Sequence, residues 1–556
     1  MMSSDSKAAQ HSAKPRRCVL LATAAIGIPI LVLVLLEVGL RICDVGYSPD
    51  LLMPCTVHGS AASCYNLFFA ATYFPAGMVQ TPRLYAIPAQ KPPRTFRIFV
   101  LGESAAMGDP DPAYGFSRYL EVMLRERYPT IKFEVYNTGS VAINSHVVLP
   151  IAEQLRNQRP DLFIIYSGNN EVVGPYGPGT VLTSTGLSIP FIRASIFYHT
   201  TRIGQLVTKL GTHKQEWRGM EMFLDQQVRA DSPLMKPVYN NFERNLRDTI
   251  AAGRASGAHV IVATVATNLK DCAPFASEHK EGLGQDAQRS WDSLFQQGKD
   301  KEQAGAFEDA IGFYSSAGKI DSDHAELAFR MARSLWSLGN YKSAAEYYRR
   351  ARDLDTLRFR ADTHINEINR SVASSSSVDL VDADAILTGA SPDGIVGGDL
   401  VYEHVHLTPE ANYLVARAMF EKVAAQLAAR GEVALQSGVP TESDCERLLA
   451  LTRYDRARIA NEMMSRMQKA PFTTQLNHSE QVFRLMGKAQ LSDETPNDTA
   501  TQYQWAIMRQ PDDRMLRLRY GMFLVPYNRA AAAEQLAMAQ PWDGFPVFLP
   551  DGTQVR

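Results

Sequence analysis

Two short segments, far apart in the chain, carry residue types that could supply a nucleophile and a base. Ser104 directly follows the apolar run Phe96 to Leu101 and the pair Gly102-Glu103, and Glu403-His404-Val405-His406 comes much later in the chain. A histidine that reaches a serine hydroxyl can take its proton, which makes the serine a nucleophile for acyl transfer. Glu403 stands three residues before His406, so one turn of chain can bring its carboxylate to the imidazole and hold the tautomer. We predict Ser104 as nucleophile, His406 as base and Glu403 as the orienting acid.

Each of these features also has a simpler interpretation. A serine at the end of a strand often caps the following helix, and residue 106 is Ala, so this is not the Gly-x-Ser-x-Gly elbow. Two histidines and two glutamates near residue 406 also suggest a metal site. The two-apart His spacing, with no Cys or further His nearby, is not typical of a zinc ligand set. We therefore expect neither a metal nor a cofactor, and a structural role for His404.

Two further segments end predicted strands and could stabilise an oxyanion. They are Asn137-Thr138-Gly139 and Ser167-Gly168-Asn169-Asn170-Glu171. A glycine lets a backbone N–H approach a reacting oxygen closely, and an asparagine amide supplies another donor. We predict Gly139 and Asn170 as the oxyanion donors. Turns that simply close the strand ends remain the alternative.

Strands and helices must alternate to bring these segments together. The predicted strands are Phe96 to Leu101, Phe133 to Tyr136, Leu162 to Tyr166, His259 to Val265 and Val378 to Val381, and helical patterns include Ser117 to Arg127 and Leu149 to Arg156. This alternation predicts a parallel α/β sheet covered by helices on both faces. Ligands of such sheets bind beyond the carboxyl ends of the strands, where Ser104 lies.

An internal repeat interrupts the pattern between the fourth and fifth strands. Its matching positions are Gly305, Phe307, Ala310, Tyr314 and Ala317, then Gly339, Tyr341, Ala344, Tyr348 and Ala351. A period of about 34 residues with small residues, aromatics and a turn glycine is typical of stacked helical hairpins such as tetratricopeptide repeats. An ordinary pair of amphipathic helices is the alternative. Tyr503, Ala506, Pro511 and Gly521 suggest a degenerate third repeat.

The N-terminal segment Cys18 to Leu40 is apolar throughout, with Glu37 as its one charged residue. As a helix it is long enough to cross the roughly 30 Å hydrocarbon core of a bilayer. A buried core helix fits its length poorly, and a cleaved signal peptide lacks a small-x-small site after the run. Basic residues at 14, 16 and 17 place the N-terminus in the cytoplasm and the rest of the chain outside it. We expect an uncleaved single-pass anchor.

Net charge and cysteine content bear on the partners and the compartment of the protein. A formal net charge of -2 and a pI near 6.7 provide no basic field for nucleic acid, and we expect none as a partner. An oxidising compartment would let Cys55 and Cys64 close a short loop, and Cys272 with Cys445 could form a second bridge. Cys18 lacks the small-residue context of a lipoprotein anchor.

The four segments resemble, in order, the four signature blocks of the SGNH/GDSL hydrolases. The blocks are Gly102-Glu103-Ser104, Gly139, Gly168-Asn169-Asn170 and Glu403-His404-Val405-His406. The resemblance implies the same roles for Ser104, Gly139, Asn170 and His406. The family usually has Asp where Glu103 and Glu403 stand, which leaves the effect of Glu103 open. The sequence is also similar to the bacterial subgroup that joins such a domain to an export anchor and tetratricopeptide repeats.

The predicted organisation follows from these parts. It comprises a cytoplasmic tail (1–17), a transmembrane anchor (18–40), a linker (41–95), the first part of an SGNH hydrolase-like domain (96–287), tetratricopeptide-like repeats (288–370), the second part of that domain (371–435), and a helical C-terminal region (436–556). The expected function is extracytoplasmic hydrolysis of acyl or acetyl esters on envelope or secreted glycans or lipids. An O-acyltransferase using the same site, or an idle scaffold that binds a protein partner through its repeats, remain alternatives.

Overall fold

The structure is a computed structural model. It describes residues 13–75, 77–80, 82–183, 188–211, 216–434, 438–490, 494–549, 552 and 554–555. The strands are β1 (Leu52–Val57), β2 (Ser60–Tyr65), β3 (Ala86–Pro88), β4 (Thr95–Gly102), β5 (Lys132–Asn137), β6 (Leu162–Tyr166), β7 (His259–Ala263), β8 (Asp379–Val381), β9 (Val547–Phe548) and β10 (Gln554–Val555).

Helices make up most of the remaining regular structure. The α-helices are α1 (Ala13–Ile42), α2 (Ser104–Met107), α3 (Phe116–Arg127), α4 (Ser145–Leu155), α5 (Ile189–Thr200), α6 (Arg202–Gly211), α7 (Met235–Ala255), α8 (Gln285–Gln303), α9 (Phe307–Ile320), α10 (Ala325–Ser337), α11 (Tyr341–Leu354), α12 (Thr363–Ser375), α13 (Ala383–Ala390), α14 (Pro409–Ala429), α15 (Glu442–Leu449), α16 (Arg453–Met467), α17 (His478–Ala489), α18 (Pro496–Arg509), α19 (Arg514–Leu524) and α20 (Arg529–Met538). Short 3-10 turns cover Phe69–Thr72, Pro112–Tyr114, Arg156–Gln158, Gly219–Phe223, Pro392–Gly394 and Phe472–Thr474.

A five-stranded parallel sheet forms the centre of the fold, in the order β5-β4-β6-β7-β8. The predicted α/β class and all five predicted strands are therefore confirmed. β6 is buried along its whole length, as expected for a strand covered on both faces. Because β4 pairs with both β5 and β6, the chain order reverses around β4, and ligands bind at such switch points. Ser104 lies directly after β4.

Two groups of helices cover this sheet. α3 packs against α14, while α4 and α12 both pack against α7. The chain leaves β4 towards β5 through α3 and then returns past β4 to β6 through α4. Right-handed crossovers in opposite directions place α3 and α4 on opposite faces. The core is the sheet between these groups, as the sequence predicts.

The segment 41–95, expected to be a packed-down linker, contains more structure than that. β1, β2 and β3 form an antiparallel sheet, and Tyr65, Phe69 and Tyr73 join the main hydrophobic core. A disulfide joins Cys55 to Cys64, which confirms the first predicted pairing. Phe69 lies in a short 3-10 turn and Tyr73 directly follows that turn, so these two aromatics lack strand periodicity and the sequence pattern did not reveal them.

The second suggested cysteine pairing is wrong. Cys272 and Cys445 are both buried and free. Cys272 lies in the loop after β7, and its thiol contacts the side-chain amide of Gln475. Cys445 lies in α15, with its sulfur toward the carbonyl of Pro440. The two thiols therefore lie in different surroundings.

The region predicted to hold repeats folds as helical hairpins. α8 packs on α9 and α10 packs on α11, with the small residues Ala310, Ala317, Ala344 and Ala351 buried between them. Tyr314 and Tyr348, the repeated aromatics, are also buried. Residues at matching positions of the two repeats are buried alike because the two hairpins share the same sequence register. In the C-terminal region, Tyr503 and Ala506 of α18 are buried in a separate small cluster.

Helix α1 is the one candidate membrane span that the described residues contain. The window Ala24–Ile42 has a mean hydropathy of 2.3, and none of it is buried inside the protein. Length and composition alone support a crossing, and a signal sequence near the N-terminus meets the same criteria.

Candidate active site

The nucleophile candidate lies at a sharp turn from strand to helix. β4 ends at Gly102, and Ser104 is the first residue of the short helix α2. Gly102 has φ +153°, and a Cβ on it would lie 2.0 Å from the carbonyl oxygen of Tyr166. Only glycine fits this close approach between β4 and β6, so the turn that presents Ser104 is built into the sequence.

The base candidate lies on a loop that other segments hold in place. Val401 and Leu407 form an isolated β-bridge across the loop, and the Tyr402 N–H donates to the carbonyl of His406 at 2.8 Å. The Asn268 N–H also donates to the carbonyl of His404 at 2.9 Å. Asn268, in the loop after β7, thus supports the loop that carries His406.

Ser104, His406 and Glu403 lie in one chain of contacts. His406 Nε2 is 2.9 Å from Ser104 Oγ, and His406 Nδ1 hydrogen-bonds to Glu403 Oε1. Glu403 Oε2 accepts the backbone N–H of Val405 at 3.0 Å, which fixes the carboxylate. Glu403 stands where the family that the sequence resembles usually has Asp, and its longer side chain still reaches the imidazole.

The charges around His406 favour its protonated form. Burial alone lowers its pKa, but the carboxylates of Glu403 and Asp109 outweigh burial and raise the pKa above the usual histidine value. Burial raises the pKa of Glu403, yet the neighbouring rings of His404 and His406 hold it well below the usual range. An ionised Glu403 beside a basic imidazole is what a general base requires.

Asp109 is a site residue that sequence reasoning missed. Its Oδ2 lies 3.2 Å from His406 Nε2, the same nitrogen that contacts Ser104. Arg466, from α16, hydrogen-bonds to both carboxylate oxygens of Asp109, the Nη2–Oδ1 distance being 3.1 Å. Asp109 follows α2, the short helix that begins with Ser104, and this closeness in the chain could have suggested it as a site residue. Arg466 lies 357 residues from Asp109, so no local pattern in the sequence connects the two.

Glu103 holds two loops of the site together through hydrogen bonds. Its buried carboxylate accepts Ser167 Oγ at 2.9 Å and the backbone N–H groups of Gly168 at 2.9 Å and Asn169 at 2.8 Å. Burial raises the pKa of Glu103 to about 7, while these hydrogen bonds favour the charged form. Glu103 therefore ties the turn after β4 to the loop that carries Asn170.

The two oxyanion candidates have different surroundings. Asn170 lines the cavity beside Ser104, and its amide donates one hydrogen bond to the Ile143 carbonyl at 3.0 Å, which leaves the second N–H of that amide for another acceptor. The Gly139 N–H instead donates to Asn137 Oδ1 at 3.0 Å. An added Cβ on Gly139 would meet the Met107 nitrogen at 2.7 Å, so this glycine serves close packing against α2.

The predicted donor role of Gly139 is therefore not supported. Among the described residues that line the cavity, this segment contributes Val141 and Ala142, and Gly139 is not one of them. Ala142 has φ +59°, a left-handed conformation that is uncommon for a residue with a side chain. The sequence did not single out Ala142 as a cavity residue, because Gly139, three residues earlier, is the residue type more typical of an oxyanion donor.

Segments from distant parts of the chain enclose the cavity. It has a volume of about 420 Å³, and Ser104 and His406 lie at its wall. Trp217, Met220 and Phe223, which follow α6, form one apolar side. Met463, Arg466 and Phe472 come from the C-terminal helical region. That region, which the resemblance does not cover, is thus part of the site.

Glu403, His404 and His406 lie close enough together to be considered as a metal site. Each ring nitrogen of His406 already has a protein contact, with Glu403 on one side and Ser104 on the other. His404 packs edge-on against Phe275 and Phe359. The residues thus have protein partners that suit a hydrogen-bonded triad, and the structural role predicted for His404 fits its aromatic packing.

The chain is similar to solved structures but matches no protein-family model. Neither a scan against protein-family models nor a search of curated proteins found a match. Among solved structures, the chain is similar to an acetyl xylan esterase at 13% identity, covering 59% of this chain and 100% of that one, with a TM-score of 0.28. It is similar to a GDSL-like lipase from Bacteroides thetaiotaomicron at 10% identity, covering 61% and 93%, with a TM-score of 0.28. A lipase/acylhydrolase from Enterococcus faecalis matches at 9% identity, covering 62% and 100%, with a TM-score of 0.27.

These values are too low to transfer an activity. The chemistry of the site rests on its own residues and distances.

Proposed function

We propose that this chain is a serine hydrolase of the SGNH/GDSL type that cleaves acyl or acetyl esters. The observation that carries the proposal is the contact chain from Glu403 through His406 to Ser104, with 2.9 Å between the imidazole Nε2 and the serine Oγ. A serine, a histidine and a carboxylate in this order are the parts of acyl transfer by a nucleophilic hydroxyl. That the serine lines a cavity supports access by a substrate.

The proposed reaction has two steps. Ser104 Oγ attacks the ester carbonyl while His406 Nε2 takes the hydroxyl proton and then gives it to the departing alkoxide. Water, deprotonated by His406, then attacks the acyl carbonyl; the bond from the acyl group to Ser104 Oγ breaks, the carboxylic acid is released, and His406 returns the proton to Oγ. Glu403 keeps the Nδ1 proton in place and stabilises the imidazolium during both steps.

We assign oxyanion stabilisation to Asn170 and to the backbone of the Val141–Ala142 turn. Both line the cavity together with Ser104. An amide donor and a backbone N–H directed at the developing oxyanion are the usual means of lowering the barrier to acyl transfer. Gly139 drops out of this role because its N–H has an internal acceptor.

The substrate we propose is an ester on a glycan or lipid outside the cytoplasm. α1 is proposed to anchor the chain in the inner membrane as a single pass, with the N-terminus cytoplasmic and the cavity on the exported side. The apolar side formed by Trp217, Met220 and Phe223 suits an acyl chain or the face of a sugar ring.

The helical hairpins α8 to α11 are proposed to be tetratricopeptide-like and to bind a protein partner. A groove of about 510 Å³ lies between α8, α9 and α10, and Arg330 and Arg333 line it. Stacked hairpins present grooves of this kind to peptides and proteins. In this proposal the repeats hold the enzyme near other envelope proteins.

Hydrolysis of a soluble aryl acetate by the full chain tests the proposed function. The wild type should release acid with turnover, and Ser104→Ala should release none above the rate in buffer. Products analysed with and without a glycan acceptor separate a hydrolase from an acyltransferase, because only a transferase yields acylated glycan. Undiminished hydrolysis by Ser104→Ala would remove Ser104 as the nucleophile.

A further inference from the structure

Helix α6 exposes an apolar stripe to solvent. Ile203, Leu206, Val207 and Leu210 recur at the spacing that places residues on one helix face. Leu210 is 81% exposed and Val207 is 52% exposed. The stripe therefore faces away from the protein, where an amphipathic helix of a soluble domain would face the core.

The preceding helix, α5, shows the same feature. Its residues Phe191, Phe197 and Tyr198 are exposed, with Phe191 at 78% and Phe197 at 70%. Ile192, on the inner side, is buried and ties the helix to the protein. α5 and α6 contact each other, and both expose large apolar side chains. Clusters of exposed apolar side chains mark interaction surfaces.

α6 is fixed to the proposed anchor helix by hydrogen bonds. Glu37, the one charged residue in the apolar run of α1, accepts the backbone N–H groups of Arg202 and Ile203, each at 3.0 Å. These N–H groups have no acceptor within the first turn of α6, and the helix dipole favours a carboxylate there. An acidic residue that would be unfavourable in lipid thus has a specific partner.

A second contact holds the same junction. The Gln205 side chain accepts the Tyr47 N–H at 2.9 Å and donates to the Tyr47 carbonyl at 3.0 Å. Phe68 stacks on the Tyr47 ring at 5.9 Å and is itself 59% exposed. The apolar surface therefore continues around the exported end of α1.

We propose that this surface, the collar, lies in the surface layer of the bilayer that α1 crosses. The collar consists of Phe68, Phe191, Phe197, Leu206, Val207 and Leu210. Its occupant is lipid because the collar is continuous with the proposed anchor and is held to it at Glu37 and Tyr47. Amphipathic helices beside a membrane bury their apolar face about 5–10 Å deep in the headgroup region. The inference rests on the proposed anchoring.

The collar also connects to the cavity. α6 ends at Gly211, and Trp217, which lines the cavity, follows six residues later. Met220 and Phe223 continue the same cavity wall. A collar seated in the membrane thus holds this wall near the lipid surface, where an acylated lipid or a membrane-bound glycan would meet Ser104.

Lipid photo-crosslinking with the full chain tests the collar. A photoreactive phenylalanine analogue replaces Phe191, Phe483 or Leu33, one at a time, in protein reconstituted in nanodiscs of phosphatidylethanolamine and phosphatidylglycerol. Phe483, on α17, is the matched control, since it is also a phenylalanine and also 78% exposed. Leu33 reports on the anchor, and a thermal unfolding curve for each variant shows that it is folded.

We expect lipid adducts at positions 33 and 191 and none above background at 483. Adducts at 33 without adducts at 191 would overturn the collar and leave the anchor intact. If neither position 33 nor position 191 gives adducts, both the anchor and the collar are overturned. Equal adducts at 191 and 483 would show that the collar has no preferred contact with lipid and would also overturn the proposal. None of these outcomes bears on the serine chemistry, which is measured separately by ester hydrolysis.

Discussion

Asp109 and Ser104 share one nitrogen of His406. Asp109 Oδ2 lies 3.2 Å from Nε2, and Ser104 Oγ lies 2.9 Å from it. The base therefore faces carboxylates at both of its ring nitrogens, since Glu403 contacts Nδ1. A carboxylate beside Nε2 stabilises the imidazolium that forms when the serine attacks, and it also raises the pH needed to keep the base neutral.

Asp109→Asn should shift the acidic limb of the pH–rate profile to lower pH. The carboxylates raise the pKa of His406, and a general base works only when neutral, so activity is lost as pH falls through that raised pKa. Removing Asp109 lowers the pKa, and the base stays neutral at more acidic pH. kcat/KM measured across pH reports the free enzyme. Glu462→Gln is the control and should leave the limb in place, because the half-exposed Glu462 carboxylate pairs with Arg466 and is not among the carboxylates that raise the pKa of His406. An unmoved limb in Asp109→Asn would contradict the assignment.

Arg466→Met should shift the same limb in the opposite direction. Arg466 lowers the pKa of His406 and pairs with Asp109, so its loss leaves the Asp109 carboxylate to act on the imidazole alone. The pKa of His406 then rises further, and activity is lost at higher pH than in the wild type. The same kcat/KM profile measures it. A shift in the direction of Asp109→Asn would mean that Arg466 acts on another group.

Asn170→Ala should lower kcat by about 10² to 10³, the usual effect of losing one oxyanion donor. Asn170→Asp keeps the size but cannot donate when ionised, so it should lose at least as much. KM should change little, because the donor acts mainly on the developing charge. Steady-state kinetics on a soluble ester measure both constants. A kcat equal to that of the wild type would exclude Asn170 from the oxyanion site.

Glu103→Ala should destabilise the fold as well as slow the reaction. The change leaves the Ser167 hydroxyl and the N–H groups of Gly168 and Asn169 without their acceptor. Each buried donor left unpaired costs about 1–3 kcal/mol. Denaturant unfolding measures the loss. Glu480→Ala, which removes an exposed ion pair with Arg333, is the control and should change stability by less than about 1 kcal/mol. Equal stabilities for the two variants would contradict the role of Glu103.

The sheet could be predicted because its strands have a local signal. Leu162–Tyr166 is β6 to the residue, and the run from His259 differs from β7 only at its end. Buried parallel strands read as short apolar runs, so composition and length suffice to find them. The order of the strand ends then placed Ser104 and Asn170 at one edge.

The rest of the site depends on contacts between residues that are far apart in the chain, which no local sequence pattern reveals. Arg466 meets Asp109 across 357 positions, and the C-terminal helices carry no periodicity that marks one face as a cavity wall. Gly139 illustrates a different limit. A glycine at a strand end signals close packing or a backbone donor equally well, and the hydrogen bond to Asn137 decides for packing.

Covalent labelling with a fluorophosphonate tests the central claim most directly. The full chain, Ser104→Ala and His406→Ala are treated with the probe, and the modified peptide is mapped by mass spectrometry. We expect labelling at Ser104 in the wild type, none in Ser104→Ala, and strongly reduced labelling in His406→Ala, because only an activated serine reacts with such probes. Folded wild-type protein that is not labelled, or is labelled at another residue, would contradict the claim.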